Sequence, residues 1–121
     1  MANPFIHIEL HTQDPQAAKK FYAQLLDWKL NDMDIPGFGS YTLLDVGGGT
    51  GGGIMKAMSP QIPPHWLAYI DVKDLDASVQ KAQKLGAKVL QPKTDIPGFG
   101  VFAVIQDPTG AAVGLYQAAA R

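Results

Sequence analysis

The sequence contains no cysteine, which excludes disulfides, a thiolate nucleophile and any Cys-ligated metal. It is also short of charge. Ten Lys plus Arg stand against eleven Asp plus Glu, 17% of residues in all, with a net charge of −1 and no run of either sign. Nucleic acids and anionic membrane surfaces are recognised through clustered cations, so neither is an expected partner. No apolar run approaches the roughly 20 residues that a membrane span needs, and the start MANPFIHIEL lacks the cationic region and long apolar core of a signal peptide. A cytoplasmic protein is expected. Serine is scarce outside the predicted helices: Ser40 and Ser59 lie in turn-like surroundings without a nucleophile elbow, so covalent catalysis has no signal.

What the chain does hold is a repeat. The hexapeptide DIPGFG occurs at 34–39 and again at 95–100, 61 positions apart in a chain of 121 residues. That length fits one domain, so the repeat is folded inside it. Offsets of 60 and then 61 residues pair IHIELHT with WLAYIDV, Asp14 with Asp74, Tyr41 with Phe102, and GIMK at 53–56 with GLYQ at 114–117. Each half opens with a period-two alternation, passes an Asp that can cap a helix, and ends in three short extended runs.

In the first half Ile6, Ile8 and Leu10 alternate with His7, Glu9 and His11, the period of a strand. Asp14 is the predicted N-cap, with Pro15 in the first turn, and Ala18, Phe21, Tyr22, Leu25 and Leu26 form the apolar side of a helix ending near Asp27 or Trp28. Extended runs follow near 28–34, 40–46 and 52–57. In the second half Trp66–Val72 reads as the strand, Asp74 as the cap, and Leu75, Val79, Ala82 and Leu85 as the apolar stripe closed by Gly86. Runs near 87–91, 100–106 and 111–117 complete it. DIPGFG falls between the second and third extended runs of each half, where Pro and two Gly encode the same tight turn. The proline-rich MSPQIPPH joins the halves. The single domain 1–121 is thus read as modules of about 4–57 and 65–117 with a linker at 58–64. GGGTGGG at 47–53 lacks the Lys-Ser or Lys-Thr of a phosphate loop and is expected to be a flexible hairpin.

The helix opening DPQAAKKFYAQLLDW after the first strand, and the closing DPTGAAVGLYQ, resemble the vicinal oxygen chelate superfamily, which includes glyoxalase I, bleomycin resistance proteins and extradiol dioxygenases. The resemblance covers essentially the whole chain. It implies an α+β fold of two tandem βαβββ modules forming a curved mixed sheet around a central cup. Catalytic members hold a divalent metal there through side chains on the first and last strands of each module. In this sequence those positions fall on His7, Leu67, Gly53 and Gly114. One of the four has a donor atom, and a metal needs several. No metal and no cofactor is therefore expected, a divalent metal being the alternative.

The resemblance and the strand alternation together define a candidate cup lining of His7, Glu9, His11, Met55, Leu67, Tyr69, Asp71 and Tyr116. His7, Glu9 and His11 place two imidazoles and a carboxylate along about 13 Å of one strand face, where they can bind a ligand or serve as an alternative metal site. Asp71 is placed by symmetry to pair with His11. Gly53 and Gly114 remove bulk and are expected to widen the cup. His65 reads as an exposed linker residue, and Trp28 and Trp66 as packing. The expected function is metal-independent binding of a small apolar or aromatic molecule by a homodimer, as in bleomycin resistance proteins. The alternative is a metal-dependent lyase, isomerase or dioxygenase of the same superfamily.

Overall fold

A computed structural model describes residues 3–119. The element order is β1 (Phe5–Thr12), α1 (Pro15–Leu25), β2 (Lys29–Ile35), β3 (Gly39–Asp45), β4 (Gly52–Lys56), β5 (His65–Asp71), α2 (Leu75–Lys84), β6 (Lys88–Ile96), β7 (Gly100–Gln106) and β8 (Ala112–Ala118). This is βαβββ twice, an α+β fold of two tandem modules. Two compact units divide the chain, one of His7–Leu67 and one that runs from Ala68 onward and takes in the residues before His7. Among the described residues no helix is long and apolar enough to cross a membrane.

In the first unit the strands lie in the order β2-β3-β4-β1. β2, β3 and β4 pair antiparallel, and β4 then runs parallel to β1 with Glu9 opposite Gly53 and His11 opposite Met55. The second unit repeats the order as β6-β7-β8-β5, with Tyr69 opposite Gly114 and Asp71 opposite Tyr116 in the parallel pair. In each unit the strand pairing is mixed. Both helices begin the same way, because Asp14 Oδ1 accepts from Ala17 N–H and Asp74 Oδ1 accepts from Ala77 N–H, each at 3.1 Å.

The repeated hexapeptide is the same turn made twice. Phe38 N–H donates to Ile35 C=O and Phe99 N–H to Ile96 C=O, both at 2.9 Å. Gly37 and Gly98 each have φ of +84°. A Pro–Gly pair inside a four-residue bonded turn, with the glycine at positive φ, has the features of a type II turn.

Several boundaries differ from the sequence reading. α1 stops at Leu25 rather than near Asp27, because Leu26 turns to extended geometry while its N–H still bonds Tyr22 C=O. β6 continues to Ile96 rather than ending near 91; its register shifts twice, between Val89 and Gln91 and between Gln91 and Thr94, which lets it carry Pro92. The glycine run divides. Gly52 and Gly53 are buried strand residues, and a Cβ on Gly52 would stand 1.8 Å from Ile8 C=O.

The apolar stripes are only partly used. Leu10, Leu44 and Ile54 form the first unit's core, with Ala18, Tyr22 and Trp28 packed on them. Phe21 at 56% and Leu25 at 60% exposure lie outside it, as does Ile8; α1 meets this core through Ala18 and Tyr22 and buries no residue completely. In the second unit Leu75 is wholly buried among Val72, Ala103, Ile105 and Leu115, with Val79 and Ala82 beside it. Leu85 is exposed because it is the C-cap and not a helical residue.

Ile54→Ala and Leu75→Ala are each expected to cost about 2–5 kcal/mol in chemical denaturation. Phe21→Ala, which empties no packed space, is expected to cost under about 1 kcal/mol in the same measurement.

Candidate functional site

The polar face of the first module is built on β1. Strand alternation turns His7, Glu9 and His11 to one side, and Tyr41 reaches the same side from β3. Its hydroxyl donates to Glu9 Oε2 at 2.6 Å, and His7 Nε2 lies 2.7 Å from the Tyr41 hydroxyl oxygen. The Tyr41 hydrogen is spent on Glu9, so the chain is complete when His7 carries its proton on Nε2 and donates to the phenol. On the other side Glu9 Oε1 stands 2.7 Å from His11 Nε2. That approach is close but out of line with the ring N–H, and the nitrogen has no well-directed hydrogen bond. His11 in turn stacks on His65, ring centres 5.0 Å apart and planes within 13°. His65 Nδ1 bonds Pro63 C=O at 2.9 Å, which fixes the second ring.

Burial sorts the roles. The Glu9 side chain is 9% exposed and that of His11 12%, while that of His7 is 30% exposed. Glu9 is the internal anchor, a carboxylate with both oxygens engaged, and His7 is the member of the chain most open to a ligand. Burial holds the His7 imidazole below its ordinary 6.5, against a smaller opposing pull from Glu9, so His7 is neutral at pH 7.

Tyr41 does a second thing. A Cβ on Gly53 would lie 2.0 Å from the Tyr41 hydroxyl oxygen and 2.3–2.4 Å from its ring carbons. The glycine does not widen a cavity; its missing side chain is the space the phenol occupies. The second module uses the same device with a different donor. At Gly114 a Cβ would lie 2.3 Å from the ring of Tyr69, which comes from β5 and meets Phe102 edge-on at 6.0 Å. Phe102 is the residue at Tyr41's place in the repeat. So β3 fills the vacated position in one half and the β5 tyrosine fills it in the other.

The remaining sequence candidates are placed as follows. Met55 is half-buried opposite His11 on β4, and Leu67 is 3% exposed. Tyr69 is buried by the packing just described. Tyr116 sits beside Phe102 in the β7–β8 pair, and its hydroxyl donates to Phe99 C=O at 2.7 Å, bracing the second hexapeptide turn. Asp71 receives Asn3 Nδ2 on its backbone carbonyl at 2.9 Å, and the carboxylate beside His11 is that of Glu9. His65 is not a linker residue. It is the half-buried first residue of β5, and Trp66 touches Tyr22 edge-on. Tyr41 was missed, although its pairing with Phe102 in the repeat was visible; nothing local signals that a tyrosine on one strand will cover a glycine on another.

The closing DPTG motif is structural. Asp107 Oδ1 accepts from Thr109 N–H at 2.8 Å, Thr109 Oγ1 at 2.6 Å and Ala111 N–H at 3.1 Å. The Thr109 hydroxyl, followed by these backbone donors, lowers the Asp107 pKa, and Gly110 takes φ of +101°.

Comparison with known proteins now gives the class. The family model for the Glyoxalase/Bleomycin resistance protein/Dioxygenase superfamily matches residues 5–115, and the chain belongs to that family. It is 43% identical over 115 residues to "Putative glyoxylase CFP32" of Mycobacterium tuberculosis, covering 92% of this chain and 44% of that protein. It is 26% identical over 123 residues to the anthracycline biosynthesis protein DnrV of Streptomyces peucetius, covering 90% of this chain and 45% of that one. The chain thus spans less than half the length of these curated relatives. Among solved structures, the hypothetical protein BH1468 of Bacillus halodurans superposes with a TM-score of 0.76 at 17% identity over 100% of this chain and 98% of that one. Methylmalonyl-CoA epimerase of Mycobacterium tuberculosis does so with 0.71 at 18% identity over 96% and 88%. These likenesses concern the fold.

The family's metal does not fit the residues present. Leu67 has no donor atom, tyrosine rings stand where side chains on Gly53 and Gly114 would be, and His7 Nε2 is engaged by Tyr41. Among the described residues no group of three or more His, Asp or Glu is placed to hold an ion.

Tyr41→Phe is expected to destabilise the protein by about 1–3 kcal/mol, because Glu9 loses its donor inside the sheet. Gly53→Ala is expected to cost at least as much, and a denaturation double-mutant cycle with Tyr41→Ala should give a coupling of at least about 1 kcal/mol, since removing the ring frees the space. By proton NMR the His7 titration midpoint should fall below 6.5. The unfolded chain binds this proton more readily, so the stability His7 contributes is full above about pH 6.5 and falls as the pH drops through the folded midpoint.

Proposed function

We propose that this protein is a glyoxalase-like vicinal oxygen chelate protein that binds a small apolar or aromatic molecule without a metal, with His7 as the group that meets the ligand. The observation that carries this reading is the Tyr41 ring, which takes the space that a side chain on Gly53 would fill, on the face that carries His7. A site filled in this way offers ring faces and edges where catalytic relatives offer charge. His7 adds one oriented polar contact, held by Tyr41 and Glu9. A few convergent polar groups among apolar ones is the usual composition of a small-molecule site.

The same hydrogen-bonded chain favours one second reading, a metal-free acid–base catalyst in which His7 exchanges a proton with substrate and Glu9 positions it. Metal-dependent lyase, isomerase or dioxygenase activity has no support from the residues present. The exposed Phe21 and Leu25 of α1, with Leu26 just after it, favour a homodimer, because a monomer seldom leaves such residues grouped in water.

The test is metal analysis followed by ligand screening. After incubation with Ni, Zn, Mn and Fe(II) and removal of the excess, less than about 0.1 ion per chain is expected. About one ion per chain, lost in His7→Ala, overturns the reading. In a screen of aromatic and apolar metabolites, His7→Ala should weaken a hit about tenfold or more while its melting curve stays close to that of the wild type. Loss of turnover with unchanged affinity in that variant would select the catalyst instead.

A further inference from the structure

A separate recess lies on the other face of the first module's sheet. Thr42 and Ile54 are register partners on β3 and β4, and their side chains point away from Tyr41 and Met55, toward α1. Between them and the first turns of α1 runs a groove of about 480 Å³, which Met55 of β4 also borders, within the range that holds a small organic molecule. Thr42 at 3% and Ile54 at 1% exposure form its floor. Phe38 from the first hexapeptide turn and Met58 from the linker are its apolar rims, and Lys19 and Lys56 its charged ones.

The charge balance of the groove is uneven. No Asp or Glu lines it. Lys19 is already committed, donating to Asp32 Oδ1 at 3.2 Å and Oδ2 at 3.4 Å, and Asp32 is held at the same oxygen by Thr42 Oγ1 at 2.6 Å. That pair fixes the wall of the groove and cancels one cation. Lys56, the exposed last residue of β4, makes no ion pair among the described residues. One uncompensated ammonium thus sits at the rim of an otherwise apolar recess, with Met58 61% exposed beside it.

We propose that this groove is a second ligand site, independent of the His7 face, for a small organic acid with an apolar body. Its carboxylate pairs with Lys56 and its hydrocarbon part lies on Ile54 against Phe38 and Met58. An amphiphilic anion satisfies both features, since it covers apolar surface and brings the charge that the lining lacks. A neutral hydrocarbon meets only the first, and inorganic phosphate only the second.

The test is a titration of the isotope-labelled chain with hexanoate, and in parallel with hexan-1-ol, followed by amide NMR shifts. Saturable shifts are expected at Gln16, Ser40, Thr42 and Lys56, with hexanol weaker than hexanoate by about fivefold or more. Lys56→Glu, at an exposed position, should weaken hexanoate by at least the same factor and leave hexanol unchanged. Met58→Asp should weaken both. Binding by His7→Ala should equal that of wild type, which separates failure here from failure of the proposed function. The inference is overturned if hexanoate gives no saturable shift, if Lys56→Glu binds it as wild type does, or if the shifts gather at His7, Glu9 and Gly53 instead.

Discussion

The contact between Tyr41 and Gly53 decides what the first module's polar face is. Because Gly53 has no side chain, the phenol lies against β4, and from there its hydroxyl reaches Glu9 and His7 together. A carboxylate as buried as Glu9 is costly unless its oxygens are engaged, and here Tyr41 takes one while His11 stands against the other. The order of His7, the restraint on His11 and the retention of Glu9 inside the sheet all follow from that placement. Any side chain at position 53 displaces the ring and removes the donor on which the carboxylate depends.

The two modules show which features a duplication keeps and which it lets change. Asp caps at 14 and 74, the bonded Pro–Gly turns after Ile35 and Ile96, and a glycine on the last strand at 53 and 114 are preserved. These are backbone devices, and the same backbone needs them each time. The residues around the glycines have diverged. The first half covers its glycine with a β3 tyrosine whose hydroxyl serves two neighbours. The second covers it with the β5 tyrosine, packed on the apolar Phe102. The first half is therefore the polar one, with His7, Glu9 and His11, and the second the aromatic one. In each half a packed aromatic ring takes the space beside the last-strand glycine.

Much of this was legible in the chain. Period-two alternation turned His7, Glu9 and His11 to one face, Asp14 and Asp74 announced helices, and the duplicated DIPGFG announced two equal turns. These are local signals, set by bonds between residues a few positions apart. Other elements misled for equally physical reasons. Phe21 and Leu25 have helical spacing with Ala18, yet a helix seated on a sheet buries a narrower strip than its apolar residues span. The extended run expected near 87–91 continues as β6 to Ile96, carried past Pro92 by two register shifts. His65 looked like linker because prolines precede it, and its ring nevertheless stacks on His11, 54 positions earlier.

By itself the sequence determined the number and order of the elements, the faces of β1, the two repeated turns, and the absence of donor atoms at Leu67, Gly53 and Gly114. Each of these depends on the identity of a residue or on near neighbours. Only the tertiary structure decided what the glycines are for, which carboxylate accompanies His11, and that His7 rather than Glu9 is the more open group. Those outcomes depend on strand register, which brings residue 41 against residue 53 and residue 69 against residue 114. A glycine in a sequence records that a side chain is missing. Register and packing determine whether that space stays open or is filled by a ring from another strand.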